Sequence, residues 1–222
     1  MDFLLSDEQK MIAETARKVG EQFGLDYWRK LDSEKQFPAE FWSAVCAAGL
    51  CGVALPEKYG GSGLGMLEMA LIIENLSAGG GGSTVGQLFM INPIFGGVSV
   101  FRFGSESMKA DLLPKIISGE INFCMALTEP DTGSNSLEIK TFAARDGNGW
   151  KLNGRKIWIT GVEAAQKMLV VARTTKAQDV KRRTDGLSMF AIDVARKGVS
   201  FTPIDKLGTN TLSSCSVFFD DV

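Results

Sequence analysis

Two periodicities divide the chain. Up to residue 119 apolar positions recur every three or four residues, the spacing of one helix face, and from Ile139 they recur every second residue, the spacing of one strand face. The helical part opens with Ser6-Asp7-Glu8-Gln9, a capping box in which Ser6 and Gln9 satisfy each other's backbone. Ile12, Ala16, Val19 and Phe23 then line one face, and Gly24 marks its end. Pro38 suits the first position of a second helix, with Phe41, Trp42, Val45 and Cys46 inward. A third helix over residues 66–77 is apolar nearly all round, so most of its surface is buried. Gly79-Gly80-Gly81-Gly82 reads as a flexible loop. Residues 85–103 are apolar enough to resemble a membrane span. Asn92-Pro93 and Gly96-Gly97 interrupt them and no aromatic belt flanks them, so they read as a buried helix with a break in a soluble protein. Ser105 caps a last helix, which Pro114 kinks or restarts before Gly119.

The strand candidates are residues 139–145, 150–152, 156–160, 167–174, 187–193, 199–203 and 216–219. Asp146-Gly147-Asn148-Gly149 is a turn, and Asn153-Gly154 is a two-residue hairpin signal. The charged stretch 176–185 reads as a solvated, mobile tip with no required partner. The expected architecture is an N-terminal all-α helical domain over 1–122 and a small all-β sandwich or barrel over 123–222. No G-x-G-x-x-G follows a strand, which argues against a doubly wound dinucleotide-binding sheet.

Where the periods meet, the apolar run 123–127 ends abruptly in Thr128-Glu129-Pro130-Asp131-Thr132-Gly133-Ser134-Asn135. A tight loop there leaves backbone N–H groups without strand partners, and they need acceptors. A phosphate is one candidate, because a Gly-Ser turn can aim several donors at one anion. The other is a loop closed on itself through turns at Asp131, Thr132 and Asn135.

Composition narrows the chemistry. With 222 residues, 45% hydrophobic, 23% charged and a net charge of −2, the chain has no basic excess for nucleic acid. The four cysteines have no C-x-x-C spacing and there is no histidine, so no metal site is expected and the cysteines read as buried thiols of a reducing compartment. Without histidine the Ser-His and Cys-His nucleophile arrangements are excluded as well. Chemistry must come from carboxylates, hydroxyls or a cofactor.

Ala126-Leu127-Thr128-Glu129-Pro130 with Gly133-Ser134 resembles the Thr-Glu-Pro…Gly-Ser-Asp signature of the acyl-CoA dehydrogenase family. Lys156-Ile157-Trp158-Ile159-Thr160 is similar to that family's second flavin-contacting segment, Trp-Ile-Thr. Pro56-Glu57-Lys58-Tyr59-Gly60-Gly61 and the stretch 112–120 are also similar to segments common there, and the resemblance runs through Phe218-Phe219-Asp220-Asp221-Val222. The resemblance implies FAD, and an acyl-CoA thioester that loses a proton at Cα and a hydride at Cβ to flavin N5. It implies that Met125, Leu127 and Thr128 lie along the isoalloxazine, Thr128 at its pyrimidine end. Gly133 and Ser134 would meet the pyrophosphate, with Ser134 close to bound CoA, while Trp158 covers one flavin face and Thr160 places its hydroxyl near N5. From the residues alone, Trp158 reads as a core aromatic, Thr160 as a strand-end choice, Thr128 as a local cap and Ser134 as a turn residue.

The family does not use the position of Glu129 as its base, so Glu129 reads as structural, bonding the loop backbone. The family continues into a C-terminal helical bundle that carries the catalytic glutamate, much of the acyl pocket and the dimer or tetramer surfaces. The chain stops before it, so no catalytic base is expected among these residues and a truncated protein is inferred. Implied partners are the acyl-CoA and an electron acceptor such as an electron-transfer flavoprotein, with no nucleic acid or membrane. The location implied is the cytoplasm, or the mitochondrial matrix for a mature eukaryotic chain. Asp131, Asn135, Gly161 and Asn210 depart from the family's usual Gly, Asp, Asn and Arg. An acyl-CoA oxidase or flavin monooxygenase on the same fold, and a non-catalytic scaffold, remain open alternatives.

Overall fold

Ser6 opens the first helix through the box its sequence spells. In the computed structural model, which describes residues 4–222, Ser6 Oγ accepts from Gln9 N at 3.1 Å and Gln9 Oε1 from Ser6 N at 3.0 Å. The helix α1 (Asp7–Gly20) buries Ala16 and Val19. Next comes α2 (Leu25–Glu34), a helix that no polar cap announces, because Gly24 stands at its N-cap. It carries buried Trp28, whose ring meets Phe41 of α3 (Ala39–Ala47) edge-on at 4.8 Å between centroids. Phe41 is fully buried, and truncating such a ring typically costs about 3–5 kcal/mol. Met69, Ile72 and Leu76 of α4 (Met66–Leu76) join the same core.

The glycine run is built rather than slack. Where a flexible loop was expected, residues Ser77–Gly81 make a fixed kink, with Gly80 at a non-helical φ of +124. A Cβ on Gly79 would stand 2.4 Å from the carbonyl carbon of Gly20, and one on Gly81 2.7 Å from the Trp28 ring. Close backbone packing therefore explains these glycines. The apolar stretch after them is one helix, Ser83–Phe103, without the expected break: α5 (Ser83–Phe89) and α6 (Ser99–Phe103) are joined by wide π-type turns over Met90–Val98 that absorb Pro93. By length and composition it could cross a membrane, but 56% of the relevant stretch is buried among its neighbours. Ser105 Oγ caps α7 (Glu106–Ser118) by accepting from Met108 N at 3.3 Å, and Pro114 sits inside this helix without ending it.

The chain divides after Asn122, and residues Leu207–Leu212 pack with the helical unit. There Leu212 joins the core, and Asn210, where the family often has arginine, bonds both carboxylate oxygens of Asp32 through its backbone N–H and side-chain amide.

The β unit is one curled mixed sheet, the half-barrel form of the expected all-β domain. Its strands are β1 (Phe123–Ala126), β2 (Phe142–Asp146), β3 (Gly149–Thr160), β4 (Lys167–Arg173), β5 (Leu187–Asp193), β6 (Val199–Ile204) and β7 (Ser214–Phe219). The order is β1-β4-β2-β3-β7-β6, with β5 on the free side of β4; β1 runs parallel to β4. One face is the core, holding Cys124, Ala126, Leu152, Met168, Val170 and Val217.

Three sequence expectations change here. Asn153-Gly154 is not a hairpin turn but lies within β3, which pairs with β2 across the Gly147-Asn148 turn. Gly154 has φ +149, and a Cβ there would stand 2.8 Å from Thr141 Cα, so two backbones cross where the turn was expected. The strand expected from Ile139 begins at Phe142, because the amides of Lys140 and Thr141 go to the Glu129 carboxylate. The segment 176–185 does have a partner: buried Arg173 donates to the carbonyls of Asp185, Arg183 and Leu137, and Arg183 pairs with Glu138.

Candidate functional site

Alternation along β1 puts Cys124 and Ala126 in the core and leaves Met125 and Leu127 half-buried on the opposite face. Past Leu127 the chain turns tightly, Glu129 and Thr132 exchanging two backbone bonds of 3.0 Å. Thr132 Oγ1 donates to Glu138 O at 3.3 Å and Glu138 N to Asn135 O at 3.0 Å. Between these closures, the exposed N–H groups of Gly133 and Ser134 find no partner among the described residues. Each reading of the junction is met in part: the loop closes on itself around Thr132 and Asn135, and keeps two donors free at Gly133-Ser134. A Cβ on Gly133 would touch nothing within 4 Å, so the approach to these donors is open. Asp131 lies 3.7 Å from Lys140 Nζ, an exposed pair that partly offsets its charge.

Beneath the loop lies a buried ion pair. Lys156 Nζ is 3.0 Å from Glu129 Oε1, with 1% and 6% of the two residues exposed. The carboxylate also accepts from Lys140 N at 2.7 Å and Thr141 N at 2.9 Å, so Glu129 is the structural group expected of it. Burial pushes the Glu129 carboxyl up, but bonds from Thr141, Lys140 and Lys156 outweigh it and hold the group below the usual carboxylate range. Burial pulls the Lys156 ammonium down, and Glu129 only partly offsets this. Lys156 Nζ also donates to Leu127 O at 2.9 Å, and Ile157 N to Thr128 O at 2.9 Å. The two motif segments are thus bonded directly to each other.

Trp158 follows at once. The β3–β7 register slips between Lys156 and Ile159, a bulge in which Trp158 takes φ +60. Lys156 and Ile159, three apart, are both buried, whereas unbroken alternation would have turned residue 158 inward. The indole is instead 54% exposed, which disposes of the core-aromatic reading. Thr160 lies opposite Ser214, their hydroxyl oxygens 3.3 Å apart, and Lys206 Nζ donates to Ser214 Oγ at 3.2 Å. With Lys206 donating to it, Ser214 can give its proton to Thr160, leaving the Thr160 proton to point onward. Gly161 has φ +79, a conformation shared by glycine and the asparagine usual in the family.

Residues 6–120 match the acyl-CoA dehydrogenase N-terminal domain, and residues 124–222 match the acyl-CoA dehydrogenase middle domain. The chain belongs to the acyl-CoA dehydrogenase family. It is 34% identical over 220 residues to the acyl-CoA dehydrogenase FadE12 of Mycobacterium tuberculosis, covering 99% of this chain and 55% of that protein. It therefore spans about half the length of the curated relatives it matches. A glutaryl-coenzyme A dehydrogenase in complex with glutaryl-CoA superposes with a TM-score of 0.93 at 29% identity, over 100% of this chain and 55% of that one. A glutaryl-CoA dehydrogenase of Mycobacterium smegmatis in complex with FADH2 gives 0.87 at 28% identity, over 98% and 54%.

Within this member of the acyl-CoA dehydrogenase family, the residues present fit part of a site for the adenine-dinucleotide flavin: open donors for an anion, an exposed indole as a wall, and a hydroxyl at the end of β3. Met125, Leu127, Thr128, Trp158 and Thr160 come from adjoining segments, and Gly133 and Ser134 stand one turn beyond. Sequence reasoning missed Lys156, Ser214, Lys206 and Arg173. Lys156 stands within the quoted motif, but nothing local says that a lysine between Arg155 and Ile157 is buried.

Proposed function

We propose that this chain is the FAD-holding part of an acyl-CoA dehydrogenase, which oxidises an acyl-CoA thioester to the trans-2-enoyl-CoA. The flavin, when bound, supplies the hydride acceptor that no side chain here can provide. Support comes first from Trp158, an aromatic held outside the core by a bulge at a positive φ beside the Thr-Glu-Pro loop. Backbone held in such a region marks sites where position matters more than local stability. Met125, Leu127 and Thr128 bear on the ring, and the open amides of Gly133 and Ser134 take the pyrophosphate, with Ser134 near the CoA. Trp158 excludes water from one face, and Thr160, oriented through Ser214, presents its proton near N5. Glu129 is buried and bonded to Thr141 N and Lys156, which supports a structural role for it rather than that of the α-proton base.

The test is an anaerobic titration of the complete flavoprotein with acyl-CoA esters. Bleaching of the flavin with formation of the enoyl-CoA and little oxygen uptake on re-aeration supports a dehydrogenase. Rapid oxygen uptake supports an oxidase or monooxygenase on the same fold. A complete protein that purifies without flavin and takes none up sinks the reading and leaves a scaffold role. An electron-transfer flavoprotein that reoxidises the reduced protein would identify the acceptor.

A further inference from the structure

Leu127 C=O and Thr128 N–H belong to one peptide unit, and the carbonyl end of that unit receives the ammonium of Lys156 at 2.9 Å. A cation on a carbonyl oxygen draws electron density through the amide and makes the N–H at its other end a stronger donor, most of all away from water. Lys156 is 1% exposed, so water screens its charge little. The N–H and hydroxyl of Thr128 have no partner among the described residues, and Thr128 is half-buried. Lys156 is held by Leu127 O and by Glu129, yet packing alone would be met by an apolar residue in this interior position without desolvating a charge.

We infer that Lys156 is a positioning and polarising residue that acts through the Leu127–Thr128 peptide on an electron-rich acceptor held at Thr128, with Glu129 setting the strength of its field. This inference rests on the functional reading above, in which the acceptor is the pyrimidine end of the flavin, the end that gains negative charge on reduction. Lys156 then favours the reduced over the oxidised flavin, and Glu129, 3.0 Å from the ammonium, moderates that preference. The hydrogen bond from Ile157 N to Thr128 O holds the geometry in place while the charge does the tuning.

The experiment is spectroelectrochemical titration of the bound flavin in the complete holoprotein, for the parent and three variants, with flavin affinity measured alongside. Lys156→Met lowers the preference for reduced flavin about tenfold, equivalent to about 30 mV for a two-electron couple. Glu129→Gln, which frees the ammonium from its counter-charge, moves the potential the opposite way when titrated at a pH low enough to keep Lys156 protonated. The double variant Glu129→Gln/Lys156→Met removes both charges, falls between, and stays informative where Lys156→Met alone leaves a stranded carboxylate and does not fold. Opposite signs for the single variants support the inference, because a merely structural disturbance has no reason to change sign. Equal potentials in all flavin-bearing variants, or shifts of the same sign in both singles, overturn it. A parent protein without flavin overturns the functional reading and this inference together.

Discussion

The guanidinium of Arg173 donates to the carbonyl of Leu137 at 2.6 Å, and through this side chain the β4–β5 loop is fastened to the segment that follows Gly133-Ser134. The same group reaches Asp185 O and Arg183 O, both at 3.1 Å. A loop of charged residues that looks free in sequence is thus anchored from below by a residue at the end of a strand.

Replacing Arg173 with Met orphans these three carbonyls, although the loop is exposed enough for water to recover some of them. Urea unfolding should show a loss of about 2 kcal/mol. Limited proteolysis should cut within residues 176–185 faster than in the parent, and unchanged cleavage there would show that the anchor does nothing.

Acid should loosen the β unit through Glu129. A carboxyl whose folded pKa lies below its unfolded value stabilises the fold above that unfolded value, and the contribution fades as pH falls through the folded one. For Glu129 the loss begins near the ordinary value of 4.5 and grows below it. Lys156, with its pKa lowered, has the opposite sign and acts only in the alkaline range, so it does not confuse the acid side. Glu129→Gln should remove the part of the acid slope that Glu129 supplies and lower stability at neutral pH by about 3–5 kcal/mol, the usual result of stranding a buried partner. A variant with the parental pH profile in denaturant titrations would refute this.

Gly133 and Gly154 should respond oppositely to alanine. Gly154→Ala forces a Cβ to 2.8 Å from Thr141 Cα at φ +149, and should cost about 1–3 kcal/mol in thermal unfolding. Gly133→Ala meets nothing within 4 Å, so its stability should stay within about 0.5 kcal/mol of the parent. Its flavin content should nevertheless fall, because the methyl group crowds the donors proposed for the pyrophosphate. Normal flavin content in Gly133→Ala would remove that loop from the site.

Trp158 holds φ +60, which costs a bulky residue roughly 1–2 kcal/mol relative to glycine. Trp158→Gly should therefore leave the flavin-free protein at least as stable as the parent while weakening flavin binding. A flavin-free variant that melts well below the parent would show that the indole supports the fold instead.

Much of the fold was legible because it rests on short-range chemistry. The capping box at Ser6 and Gln9, the apolar face through Ala16 and Val19, the cap at Ser105 and the apolar runs of β4 and β5 each need only neighbours a few residues away. The misread glycines depend on a distant partner. Asn153-Gly154 reads locally as a turn, yet Gly154 serves a crossing with Thr141; the glycines near 80 read as slack, yet they admit Gly20 and Trp28. Pro114 reads as a helix breaker, yet α7 passes through it.

The candidate site divides in the same way. By itself the sequence determined the two motif segments and the helical and β halves. Only the tertiary structure decided that Lys156 lies buried against Glu129 and Leu127, that a bulge turns Trp158 out of the core, and that Arg173 anchors the charged loop. The reason is electrostatic as much as steric: a charge is stable inside a protein only where partners remote in sequence converge on it, and no local pattern records that convergence.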